Sequence, residues 1–179
     1  MLLIIQDSKE YGESVNNIRR TFDSFNFEIE EYTPSTSAEA VETCAKLFEN
    51  RNFTRYGTFV MVVLIKESKS AQKNVSEMEL LISKYMYNQQ CTPPTLRGKP
   101  KIIIWQQGLN ETARNYKRSY IEGTDVFELF ISPKSPSIGR VSLDILCDIL
   151  RSSFFSQHFV QMMDIWLKKM NPMQCLALT

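Results

Sequence analysis

The chain has 179 residues, of which 43% are hydrophobic, and this is the size and composition of one globular domain with a single core. Its 21 basic and 20 acidic residues leave a net charge of +1, which argues against a nucleic-acid or membrane surface. Four scattered cysteines lack the spacing of zinc ligands or of a disulfide framework, so we expect no metal, no cofactor and a reducing compartment, most simply the cytoplasm.

The first elements of the sequence are an apolar strand, an amphipathic helix and a second strand. Residues 2–5 predict a buried strand, and this apolar run is too short for a signal peptide or a membrane span. Residues 27–30 alternate apolar and acidic side chains and predict a half-exposed strand. Between them, after a turn at residues 11–12, a helix is predicted behind a Ser14 cap, with four apolar residues at helical spacing: Val15, Ile18, Phe22 and Phe25.

The rest of the sequence continues this alternation, apart from an irregular link predicted over residues 106–125. A capping box of Thr36 and Glu39 predicts the start of a second helix, and Asn74 with Glu77 predicts the start of a third. The repeated strand–helix units predict an α/β fold with a mostly parallel central sheet of about six strands, flanked by helices on both faces. Further strands are predicted at residues 58–65, 101–105, 126–131 and 173–178, and further helices near residues 141–151 and 157–170.

Residues 96–110 carry the most information about family. A polar turn with Gly98 and Pro100 leads into an apolar strand, and the chain breaks after Gln106, at the carboxyl end of that strand, where α/β enzymes place their chemistry. The segment resembles the caspases, in which Gly-Lys-Pro-Lys, four apolar residues and a glutamine continue into the nucleophilic cysteine. The resemblance extends over the whole chain through short motifs in the family's order, and it implies a caspase-like three-layer sandwich.

The same resemblance implies that the catalytic residues are absent. Gly108 holds the place of the family's nucleophilic cysteine, and Lys66 holds the place of its histidine. Of the two arginines and one glutamine that hold a substrate aspartate in caspases, only the glutamine, Gln106, is retained as a remnant of the pocket. Arg140 is either a further remnant or a surface arginine at the start of a helix. We therefore expect no enzyme and no small-molecule substrate.

By the resemblance, residues 1–110 match the large caspase subunit, residues 126–179 match the small subunit, and residues 111–125 form a short link within a single domain. The link has one aspartate, Asp125, directly before a predicted strand, so we expect an uncut chain. In the family the last strand pairs across a two-fold axis, and a bare apolar edge would invite aggregation. The residues that match this dimer strand are Met173, Gln174, Cys175, Leu176, Ala177 and Leu178.

These features lead to the hypothesis of a pseudo-caspase that acts by protein–protein interaction. Its expected partner is a second copy of itself or a caspase-family protein, held through the C-terminal edge strand. One alternative is a caspase-fold module that binds a non-caspase partner through its shortened active-site face. Another is a hydrolase with an unfamiliar site, for which Cys91 is a candidate thiol.

Overall fold

The structure is a computed structural model, which describes residues 1–6, 11–65, 78–107, 119–120, 125–131, 143–148 and 150–151. The strands of these residues form one sheet and are β1 (Leu2–Gln6), β2 (Ile29–Tyr32), β3 (Phe59–Ile65), β4 (Lys101–Gln107), β5 (Ser119–Tyr120) and β6 (Val126–Ile131). The helices are α1 (Gly12–Asp23), α2 (Ser37–Asn50), α3 (residues 78–82) and α4 (residues 143–148 and 150–151). A π-helical turn, Ser83–Tyr87, follows α3, and a 3₁₀ turn, Pro94–Leu96, precedes β4.

The six-stranded sheet has the order β2-β1-β3-β4-β6-β5, and all its pairings are parallel except that of β5 with β6. The predicted α/β fold is therefore confirmed. The strand predicted at residues 173–178 lies outside the described residues and stays a prediction. The described sheet contains one strand that was not predicted, β5, which lies in the link that was predicted to be irregular. That prediction is wrong at residues 119–120, where the link pairs with the strand that follows it.

The start of α1 and the position of β2 also differ from the prediction. The helix begins three residues earlier than expected, with Tyr11 at its N-cap position, and Ser14 lies buried inside its first turn, so Ser14 is not the cap. The helix ends at Asp23, so Phe25 lies beyond it, in a turn in which Asn26 adopts a left-handed φ of 57°. The backbone N–H of Phe27 then donates to Phe22 O at 3.1 Å. This turn holds Phe27 at the helix end, and β2 begins only at residue 29.

The capping box before α2 is confirmed. The backbone N–H of Glu39 donates to Thr36 Oγ1 at 3.2 Å, and Glu39 Oε2 accepts from the N–H of Ser35 at 2.8 Å. Backbone donors at the helix start are thereby satisfied by side chains. The predicted start of the third helix, at Asn74, lies outside the described residues.

Helices cover both faces of the sheet, which makes the three layers. β2 and β3 lie on opposite sides of β1, so the connection from β1 to β2 and the connection from β2 to β3 cross the sheet in opposite directions. Because such crossovers are right-handed, α1 and α2 lie on opposite faces. The packing agrees with this rule. Leu3 and Ile5 of β1 belong to the core that includes α2 and α3, whereas Leu2 and Ile4 belong to the core that includes α1 and α4. The central strands are thus buried on both sides.

The turn before β4, which carries the Gly-Lys-Pro-Lys motif, holds the amino end of the sheet together. Gly98 has a φ of 68°, a conformation that favours glycine. The turn places Lys99 Nζ within hydrogen-bond distance of three backbone carbonyls, at 2.6 Å from Phe53 O, 3.0 Å from Thr54 O and 2.6 Å from Tyr56 O. One ammonium group therefore satisfies the carbonyls of the loop that leads into β3. The motif is structural in this chain.

We predict that Lys99→Met lowers the free energy of unfolding by about 1 to 3 kcal/mol, because it leaves partly buried carbonyls without their donor. Urea denaturation would measure the change. The matched control is Lys46→Met on α2, where the lysine side chain is 68% exposed and pairs with Glu42, and where a change within about 0.5 kcal/mol is expected. Equal losses in the two variants would contradict the structural role of Lys99.

Candidate functional site

The candidate site lies at the carboxyl edge of the sheet, where β3 and β4 end side by side. The two strands stay paired in register up to Ile65 and Gln107. The next residue after Ile65 is Lys66, and the next after Gln107 is Gly108. These two predicted degenerate positions lie outside the described residues, but they follow neighbouring strand ends that are level with each other. The register therefore brings the ends of two strands that are far apart in sequence side by side.

Gln106, the predicted pocket remnant, lies buried at this edge with 4% of its surface exposed. The register places it level with Leu64 of β3 and Gln6 of β1, on the face of the sheet that packs against α1. Its side-chain Oε1 has no hydrogen-bond partner among the described residues. The role of Gln106 as a pocket remnant stays a prediction.

Gln6 is a second buried polar group at this edge, and the sequence analysis missed it. Its Nε2 donates to Glu31 Oε1 at 2.7 Å and to Thr33 Oγ1 at 3.3 Å, while its Oε1 has no partner among the described residues. Glu31 is bound in turn by Arg19 of α1. The signal that would have indicated Gln6 is its place as the polar end of a buried strand, which it shares with Gln106.

None of the described cysteines belongs to the strands that end at this edge. Cys44 on α2 and Cys147 on α4 are buried, as their apolar helix faces predicted. Burial raises the pKa of the Cys44 thiol to about 12 and that of Cys147 to about 11, so both stay protonated at physiological pH. Cys91 is half-buried in the loop between the π-helical turn and the 3₁₀ turn. Thr95 of that 3₁₀ turn accepts from the N–H of Phe53, which places this loop near the amino end of the sheet.

A buried carboxylate on the other face of the sheet was also missed. Glu128 of β6 is 8% exposed and accepts from Trp105 Nε1 at 2.6 Å. Its second oxygen accepts from the hydroxyl of Tyr87, at the end of the π-helical turn. Trp105 and Gln106 are consecutive in β4, so their side chains point to opposite faces, and this cluster is separate from the candidate site. It connects β4, β6 and the π-helical turn.

No described group of three or more His, Cys, Asp or Glu residues is arranged to hold a metal ion. None of the helices in the described part of the chain is long and apolar enough to cross a membrane. Arg140, the predicted dimer strand at residues 173–178 and His158, which is the single histidine of the sequence, lie outside the described residues.

Comparison with known proteins identifies the family. The model of the caspase domain matches residues 12–177 of the chain. The chain belongs to the caspase family. Among solved structures, it is similar to drICE, with 18% identity, a TM-score of 0.62, and coverage of 93% of this chain and 77% of that one. It is also similar to caspase-1 from Spodoptera frugiperda, with 16% identity, a TM-score of 0.66, and coverage of 94% and 75%. At these identities the solved structures show the shared fold alone. No curated protein matches the sequence.

In this caspase-family chain the aspartate of the link is held by the sheet. Asp125 is exposed, but its carbonyl accepts from the N–H of Lys101 at 2.8 Å, and its φ of 53° is left-handed. Val126, on the other side of the peptide bond, is fully buried and pairs with Lys101 in the sheet. A protease that cleaves after Asp125 must therefore separate β6 from β4 first.

We predict that a protease specific for aspartate and glutamate cleaves the native chain after Asp125 at least about 100-fold more slowly than it cleaves a free peptide of residues 119–131, because access needs local unfolding. Mass spectrometry of timed digests would give both rates. Equal rates in protein and peptide would show that the link is open to processing.

Proposed function

We propose that this chain is a non-enzymatic member of the caspase family that acts through protein–protein interaction, pairing with itself or with a caspase through its C-terminal edge strand. One observation carries the proposal. The strands β3 and β4 end level at the carboxyl edge, but the residues that follow them are Lys66 and Gly108. The scaffold of a caspase active site is retained while its reacting groups are replaced.

The chemistry of a cysteine hydrolase supports this reading. Such an enzyme needs a thiolate, a base within about 3 Å of it and donors for the oxyanion. Gly108 has no side chain, and a lysine such as Lys66 is charged near neutral pH unless it is buried. Loss of the nucleophile alone typically lowers turnover by about a millionfold. The buried thiols Cys44 and Cys147 are protonated and lie on helices, so they are poor substitutes.

The polar groups at the carboxyl edge give further support. Caspases hold a substrate aspartate with guanidinium groups, which bind carboxylates through two parallel hydrogen bonds. The described polar groups here are two amides, a carboxylate and a hydroxyl, from Gln6, Gln106, Glu31 and Thr33. The arginine that contacts them, Arg19, is already engaged with Glu31 and Asn16. An incoming aspartate would meet a like charge and no spare guanidinium among these residues.

The partner-binding part of the proposal depends on the apolar C-terminal segment. An exposed apolar strand edge is an aggregation hazard, and pairing with a second chain removes it. The proposed place of action is the cytoplasm, where unpaired cysteines such as Cys44, Cys91 and Cys147 stay reduced.

We predict that the purified chain sediments as a dimer, or as a heterodimer when mixed with a caspase, and that Leu176→Asp abolishes this association. The substitution would place a carboxylate in an apolar strand interface, where an unpaired charge is costly. The matched control is Leu80→Asp on α3, because Leu80 is 71% exposed and can accept a charge. Sedimentation velocity would measure all three proteins.

Two outcomes would overturn this part of the proposal. A strict monomer, alone and with a caspase, would exclude dimerisation. If the Leu176→Asp variant still binds the same partner protein as the wild type, the result would instead favour the alternative, in which the shortened active-site face binds a non-caspase protein.

A further inference from the structure

The strand β2 forms one end of the sheet, and its outer edge can accept a further strand. Within the described part of the chain β2 pairs with β1 alone, and its four residues are all half-buried. The N–H of Leu2 donates to Glu28 O at 2.8 Å, and the backbone groups of successive residues alternate between the two sides of a strand. The N–H and C=O groups of Ile29 and Glu31 therefore face outward, where an added strand could bond to them.

A groove lies beside this edge, between α1 and the face of β2 that α1 covers. Its volume is about 450 Å³, within the range of ligand-binding clefts. Two of its lining side chains are apolar and four are charged: Phe27, Ile29, Arg19, Arg20, Asp23 and Glu31. Ile29 and Glu31 are two positions apart in β2, so their side chains lie on the same face. A strand bonded to the outer edge would therefore place every second side chain in the groove.

The acidic residues in and before β2 are neutralised by arginines. Arg19 binds Glu31 on the α1 side of the sheet, and Arg51 binds Glu28 and Glu30 on the other side. Free charges on an edge strand keep other strands away from it. Carboxylates that are already held in ion pairs oppose an added strand less, so this edge is a weakly guarded one.

Two charges on the wall of the groove remain for a partner. Arg20 and Asp23 are exposed, and neither has an ion-pair or hydrogen-bond partner among the described residues. The helix α1 leads from the carboxyl end of β1 to the start of β2, so it runs antiparallel to both strands. Asp23 therefore lies level with the start of β2, near Ile29, and Arg20 lies one helical turn further along, toward Glu31.

We infer that the outer edge of β2 binds an extended segment of a partner protein as an added antiparallel strand, with an acidic residue opposite Glu31 and a lysine opposite Ile29. The acidic residue would meet the unpaired guanidinium of Arg20. The lysine would lay its aliphatic stem on Phe27 and Ile29 and bring its ammonium group to Asp23. Antiparallel pairing is slightly more stable per residue than parallel pairing, and in that direction the order in the partner is Glu-x-Lys.

This inference goes beyond the proposed dimer and does not depend on it. Three strands, β1, β3 and β4, separate β2 from β6 in the sheet. No residue of the groove belongs to the predicted dimer strand at residues 173–178. The chain could therefore hold this partner segment as a monomer or as a dimer.

The first test uses two capped peptides, acetyl-Ser-Thr-Val-Glu-Val-Lys-Val-Thr-Ser-amide and the same peptide with Glu and Lys exchanged. Heteronuclear NMR titration of the full chain would give both Kd values. We expect the Glu-x-Lys peptide to bind at least about fivefold more tightly, as two partly exposed charge pairs imply. The amide signals that move most should be those of residues 29–32.

The second test changes the groove wall. Arg20→Glu with Asp23→Lys should invert the preference between the peptides, because both unpaired charges change sign while the edge of β2 stays the same. The matched control, Lys46→Glu, changes an exposed charge on α2 and should leave the preference as it is.

A third variant tests the strand pairing itself. Ile29→Pro removes an outward N–H, and an edge strand can accept proline at such a position. We expect it to weaken binding of the Glu-x-Lys peptide at least about threefold relative to Ile29→Ala, which removes the same side chain and keeps the N–H.

Four outcomes would overturn the inference. They are no binding of either peptide, equal binding of both, tighter binding of the exchanged peptide by the wild type, and signal changes confined to residues outside α1 and β2. A monomeric chain that prefers the Glu-x-Lys peptide would contradict the proposed dimer and support this inference. A dimer that binds neither peptide would do the reverse.

Discussion

The structure depends first on the pairing of β3 with β4. These strands share seven register positions, and their side chains alternate between two cores that are closed by helices on both faces. A slip of one residue would move every side chain of a strand to the opposite core, so the register is strongly constrained. Lys99 fixes the amino end of this pair through three carbonyls of the preceding loop. None of these constraints involves a reacting group, and the scaffold can persist without catalysis.

The two ends of the sheet therefore carry different information. The Gly-Lys-Pro-Lys motif, which is the sharpest sign of the caspase family in the sequence, lies at the amino end and has a structural role. Lys66 and Gly108, which in the proposed function replace the reacting groups of the family, follow the carboxyl ends of β3 and β4. Retention of the motif is evidence for the fold and not for hydrolysis. Gln106 fits the same picture, since it keeps its place while its oxygen has no donor among the described residues.

Much of this fold can be predicted from sequence, because the central strands are continuous apolar runs and a capping box marks the first turn of α2. The misses have physical causes. The strand β2 was predicted two residues too early, because residues up to Phe27 belong to the left-handed turn at Asn26. Ser14, which is buried inside α1, was mistaken for its cap. The two residues of β5 carry no strand signal of their own, because their pairing depends on β6. In the site, Gln106 was found from its motif. Gln6 and the pairing of Glu128 with Trp105 were not, since they depend on contacts between distant strands.

The central claim is that this chain keeps the caspase scaffold without hydrolysis. The most direct measurement is incubation of the purified chain with a diverse peptide library, with new peptide termini quantified over time by mass spectrometry. The account predicts no increase above buffer at any sequence, with wild type, Cys91→Ala and Cys175→Ser all alike. Time-dependent cleavage by the wild type that either cysteine substitution abolishes would contradict it.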